Sequence, residues 1–169
     1  NLGDGQPFFA YVPFQAVHIP VQAPQEYIDR YMGAYDEGWD SLRQARSERA
    51  AALGVIPDAV PMTRMSTTTD WDALGSERQR YEAKRMAVYA GMIEAMDANI
   101  ARLMAYLEYQ GQLDNTIFIF TSDNGAEGSG SQDPEAFAAS RIASSLGYNT
   151  DYETLGLKGS FNSINPGFT

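Results

Sequence analysis

The sequence predicts an α/β fold, a mostly parallel sheet flanked by helices, and two observations carry that expectation. Two short continuous apolar runs, "PFFAYVPF" at 7–14 and "TIFIFTS" at 116–122, read as strands buried on both faces. A long helical pattern lies between them, so the connection is a crossover, which goes with parallel pairing and a right-handed arrangement. With 169 residues, 44% of them apolar, the chain is long enough for one domain with a sizeable core. Its ten Tyr and eight Phe exclude a disordered acidic tail.

The elements follow in order. The first run gives way to "QAVHIPVQAP", a loop fenced by Pro13, Pro20 and Pro24 that holds the single histidine, His18. From Pro24 to Leu53 the pattern is helical but interrupted at Gly33 and Gly38. "WDSLRQARSERAAALG" then predicts a charged helix with Gly54 as its C-terminal cap. "VIPDAVPMTRMSTTTD", with two prolines and a Ser/Thr run, is a connector. The clearest helix runs from about Ser76 to Tyr109, with Tyr89, Met92, Ile93, Met96, Ile100, Leu103 and Leu107 on one apolar face. Gly111 ends it, "QLDNT" turns, and the second run leads into the loop "DNGAEGSG". "PEAFAASRIASSLG" predicts a further helix, and beyond Tyr148 the chain is rich in Gly, Asn and Ser.

A net charge of −10 repels a phosphate backbone, so nucleic acid is not an expected partner. The absence of cysteine excludes disulfides, thiolate metal sites and a cysteine nucleophile. No apolar run is long enough to span a membrane and no N-x-[ST] acceptor occurs, so no membrane association is expected. A soluble protein of the cytoplasm or of a bacterial periplasm fits these features.

In open α/β sheets functional groups gather past the carboxyl ends of strands, and two loops meet that description. One carries His18, an imidazole suited to acid–base work near neutral pH or, equally, a structural residue. The other carries Asp123 and Asn124, two hard oxygen donors suited to Ca²⁺ or Mg²⁺, in a tripeptide that also makes an ordinary turn. Lys158 in "LGLKGS" is a cation that could hold an oxyanion or simply be solvated. Asp36 and Glu37 are neighbours that point apart on a helix, so they do not form a glycosidase pair.

Three stretches in order resemble the sulfatase family, of the alkaline-phosphatase-like superfamily. "PFFAYVPFQAVHIPVQAP" is similar to its PFF-x-Y-x-x-F-x-x-x-H-x-P-x-x-x-P, and "YMGAYDEGWDSLRQARSERAAALGVIP" to its Y-x-G-x-Y-D-x-G-W-D-x-x-R. "AVYAGMIEAMDANIARLMAYLEYQGQLDNTIFIFTSDNGAEG" resembles its long helix, turn and metal-ligand strand. The resemblance, to the arylsulfatase and alkylsulfatase branch, runs from about Pro7 to Gly128. It implies hydrolysis of a small-molecule sulfate ester, with Asp123 and Asn124 on a divalent cation, usually Ca²⁺, and His18 on the ester. The family's nucleophile is a formylglycine made within C/S-x-P-x-R, which these residues lack.

Residues 1–169 are therefore expected to be an internal part of one sulfatase catalytic domain, inactive alone, whose partner is the rest of the parent chain. The implied alternatives are a phosphonate monoester or phosphodiester hydrolase of the same superfamily, and a non-catalytic Ca²⁺-binding fragment. Lys158 is left out of the site, because the family's sulfate-binding lysine follows the segment that resembles "ETLGLKGSFNSINPGF".

Overall fold

The computed structural model describes residues 5–57, 60–63, 68–125, 138–164 and 166–168. Four helices appear among them: α1 (Gln25–Asp29), α2 (Gly38–Ala52), α3 (Ser76–Tyr109) and α4 (Ala138–Ser145). Short 3₁₀ turns at Trp71–Ala73, Leu113–Asn115 and Pro166–Phe168 punctuate the connections.

Glycines terminate the helices as expected. After α2, Gly54 takes φ +69°, its N–H donates to the Ala51 carbonyl, and the Val55 N–H donates to the Ala50 carbonyl. That pair of bonds is a Schellman cap. Gly111 repeats it after α3, with bonds from Gly111 to Glu108 and from Gln112 to Leu107. Gly38 opens α2 at φ +79°, where a Cβ would lie 2.2 Å from the Trp71 ring, so only glycine fits.

Helix α3 is the spine, but its burial departs from the simple stripe. Residues 82–88 are buried without a break, charged ones included, and of the expected face only Leu107 is fully buried. Tyr89 and Met92 are half-buried and pack on the core, while Ile93 and Leu103 are exposed. One core cluster gathers Trp39, Trp71, Ala83, Met86, Ile164 and Phe168. Its rings meet edge to face, Trp39 on Trp71 at 4.8 Å and on Phe168 at 5.5 Å between centroids. A second cluster, Val21, Ala23, Ile28 and Val88, packs α1 on α3, with Tyr89 touching both clusters. At that crossing a Cβ on Gly91 would lie 3.0 Å from the Ile28 backbone nitrogen, so the glycine sets how closely the helices approach.

The spine also carries a buried ionic cluster. Glu82 and Arg85, 0% and 1% exposed, form an ion pair in which Arg85 Nη1 donates to both carboxylate oxygens, at 2.9 and 3.1 Å. Arg85 donates further to the Ser163 carbonyl (2.9 Å) and hydroxyl (2.7 Å), tying α3 to the C-terminal segment. Arg78 Nη2 lies 2.6 Å from Glu82 on its other side. Lys84 donates to the Tyr152 carbonyl, and its ammonium stands over the Tyr152 ring. Burial lowers the Lys84 pKa, an effect opposed by Glu153 nearby.

The expected sheet does not form among the described residues, where the single β pairing is an isolated parallel bridge between Asn149 and Ser160. Both apolar runs are extended and exposed, with Phe9 at 91% and Ile117 and Ile119 at 89% and 87%. The physical reason is pairing. A strand satisfies its backbone groups through neighbours, and a run apolar on both faces needs layers above and below it. Among the described residues neither run has such neighbours. No helix among the described residues is long and apolar enough to cross a membrane.

Candidate functional site

His18 sits in a turn directly after the first extended run, its backbone N–H donating to the Gln15 carbonyl. Its ring is exposed, with Nδ1 2.8 Å from the Ile19 carbonyl oxygen. A carbonyl can only accept, so Nδ1 carries the hydrogen in both the neutral and the charged imidazole. Nε2 is then the nitrogen left for an external group. Immediately beyond the ring, Val21 and Ala23 are buried in the second core cluster.

Asp123 and Asn124 follow the second extended run and are also exposed. The Asn124 N–H donates to Asp123 Oδ1 (3.0 Å), and Ser122 Oγ donates to the Asn124 carbonyl (2.5 Å). These bonds shape the turn, and Asp123 Oδ2 and the Asn124 amide oxygen take no part in them. Hard oxygens of this kind suit a divalent cation, so the donor set fits one. Two ligands do not complete a coordination shell, and no group of three or more His, Asp or Glu gathers for a metal among the described residues.

No hydrogen bond or ion pair joins His18 to Asp123 or Asn124 among the described residues. The shallow grooves along α2, lined by Gln44, Glu48, Ala51, Ile56 and Met62 among others, contain none of the three. Lys158 is exposed, and Asp36 and Glu37 lie in an exposed turn. The residues that sequence reasoning passed over are Gln22, Gly156, Ser160 and Asn162, which bond behind the His18 loop. Nothing in a Gly-, Asn- and Ser-rich stretch marks them, since their partners lie more than a hundred positions away.

Residues 2–153 match the sulfatase family model. Over 132 residues, 76% of the chain, it is 49% identical to an uncharacterized sulfatase of Schizosaccharomyces pombe, covering 24% of that protein. Over 165 residues, 95% of the chain, it is 39% identical to an arylsulfatase of Klebsiella aerogenes, covering 34% of it. It is 28% identical over 150 residues to the multifunctional alkaline phosphatase superfamily protein PehA of Trinickia caryophylli, covering 27% of that protein. The chain thus spans about a quarter to a third of the length of these relatives. The family match takes in both apolar runs, the His18 loop and the Asp123–Asn124 turn, and the chain belongs to the sulfatase family.

Proposed function

We propose that this chain is part of a sulfatase that hydrolyses sulfate esters, with His18 as the acid that protonates the departing alcohol. The observation that carries this reading is the His18 ring itself, exposed in its loop, with Nδ1 tied to the Ile19 carbonyl and Nε2 left to face a substrate. As the ester S–O bond breaks, the Nε2 proton passes to the alcohol oxygen and the imidazole becomes neutral. Asp123 and Asn124 would hold a divalent cation, Ca²⁺ in this reading. Such a cation, when bound, supplies positive charge to the sulfuryl oxygens. The nucleophile in this reading is a formylglycine from another part of the parent chain, so residues 1–169 alone are expected to be inactive. The extended runs 7–14 and 117–122 are read as strands of the parent's parallel sheet, which would cover their exposed apolar side chains.

Leaving-group dependence tests the acid role. In the intact parent enzyme, His18→Ala should slow alkyl sulfates about a hundred- to ten-thousand-fold and aryl sulfates far less, because a phenolate departs without a proton. A rate against leaving-group pKa with the same slope as wild type would sink it. The similarity to PehA favours a second reading, a phosphonate monoester or phosphodiester hydrolase. Comparing kcat/KM for matched nitrophenyl sulfate and phosphonate esters decides between the two.

A further inference from the structure

Three consecutive residues just after His18 are fastened to a segment well over a hundred positions away. The Val21 N–H donates to the Asn162 carbonyl (2.8 Å), Gln22 Nε2 to the Ser160 carbonyl (2.7 Å), and the Ala23 N–H to the Gly156 carbonyl (3.0 Å). The receiving segment is stiff in its own right. Ser160, fully buried, accepts from the Gly156 N–H through its hydroxyl (2.9 Å) and donates that hydroxyl to the Leu157 carbonyl (2.8 Å). Gly156 takes φ +87°, and a Cβ there would lie 2.4 Å from Val88 Cγ2, so the segment lies hard against α3. Val21 and Val88, 1% and 0% exposed, share one core cluster.

We propose that Gln22, through its bond to the Ser160 backbone, is a positioning residue for His18, and that the Gly156–Asn162 segment is the fixed wall against which the loop is set. The proposal rests on the acid role of His18. An exposed ring has few contacts of its own to fix it, so its placement depends on the backbone on either side. On the N-terminal side the one backbone bond among the described residues is local, from the His18 N–H to the Gln15 carbonyl, and beyond it lies the exposed run 7–14. On the C-terminal side stands the three-bond staple, which begins at Val21, three residues beyond the ring. Of the three donors, Gln22 Nε2 alone belongs to a side chain, so substitution can remove it without touching the backbone. Proton transfer is sensitive to such placement, since a shift of about 1 Å can cost about a hundredfold in rate.

The test uses the intact parent enzyme and a series of sulfate esters spanning aryl to alkyl leaving groups. Gln22→Met, which keeps the bulk and loses the donor, should slow the poorest leaving groups about ten- to a hundredfold and leave the best nearly unchanged. Gln22→Lys, which restores a donor, should return the slope toward wild type. In a His18→Ala background Gln22→Met should steepen the slope no further. Should Gln22→Met not fold, Gln22→Glu, of the same length but without the donor, carries the same readout. A steeper slope for His18→Ala with a wild-type slope for the Gln22 variants overturns the positioning role alone. A wild-type slope for His18→Ala overturns the acid role and the positioning role together. Equal loss across all leaving groups in the Gln22 variants makes the staple structural and also overturns the proposal.

Discussion

Glu82 stands between two cations, and replacing it tests whether the ionic cluster on α3 works as a buried charge pair. Its carboxylate is fully buried and meets Arg85, itself 1% exposed, through both oxygens. Glu82→Gln keeps the shape but leaves the Arg85 guanidinium buried without a counter-charge, a change that costs about 3–5 kcal/mol. Arg78 is different. Its side chain is 31% exposed, and its Nη2 approaches Glu82 at 2.6 Å without the alignment of a hydrogen bond. Arg78→Met leaves Glu82 held by Arg85 through both oxygens and strands no buried cation, so it should cost clearly less than Glu82→Gln. Urea denaturation followed by circular dichroism measures both. With a slope of about 1–3 kcal/mol per molar, Glu82→Gln should lower the midpoint by roughly 2 M and Arg78→Met by clearly less. Equal losses in the two variants, or a loss under about 1 kcal/mol for Glu82→Gln, would refute the reasoning.

Two further outcomes follow from the site and the core. In the intact enzyme Asp123→Ala should lose bound metal more completely than Asn124→Ala, because a carboxylate brings charge to a dication and an amide only a dipole. Metal content by mass spectrometry orders the two, and equal retention counts against the assignment. Burial raises the Tyr35, Tyr81 and Tyr89 phenols above 10.0, so the stability they lend is intact below pH 10 and is lost as pH rises through their folded values. Lys84 opposes this, since burial lowers its pKa and stability from that group grows as pH climbs toward 10.5. Urea midpoints against pH in a Lys84→Met background isolate the tyrosines. An unchanged urea midpoint as pH rises well past 10, through full ionisation of all ten phenols, would refute the effect.

Local signals were legible in the sequence wherever the deciding interactions span only a few residues. The limits of α3 at Ser76 and Tyr109 and the stop of α2 before Gly54 came directly from periodicity and from glycine caps. The candidate residues His18, Asp123 and Asn124 were legible for a related reason: each stands in a turn, next to an apolar run, with a side chain whose chemistry is unusual there. The tertiary structure decided everything that depends on distant partners. It buried Glu82 and Arg85, which the stripe of apolar residues on α3 had left unmarked, because Ser163 arrives from the far end of the chain to receive the guanidinium. It brought Phe168 onto Trp39 and Gly156–Asn162 behind the His18 loop, out of a segment that carried no periodic signal at all. It also left the runs 7–14 and 117–120 uncovered, though their composition alone reads as buried. An apolar run states that a segment gains by burial, whereas what buries it is set by the surfaces that fold against it, and those are encoded elsewhere in the chain.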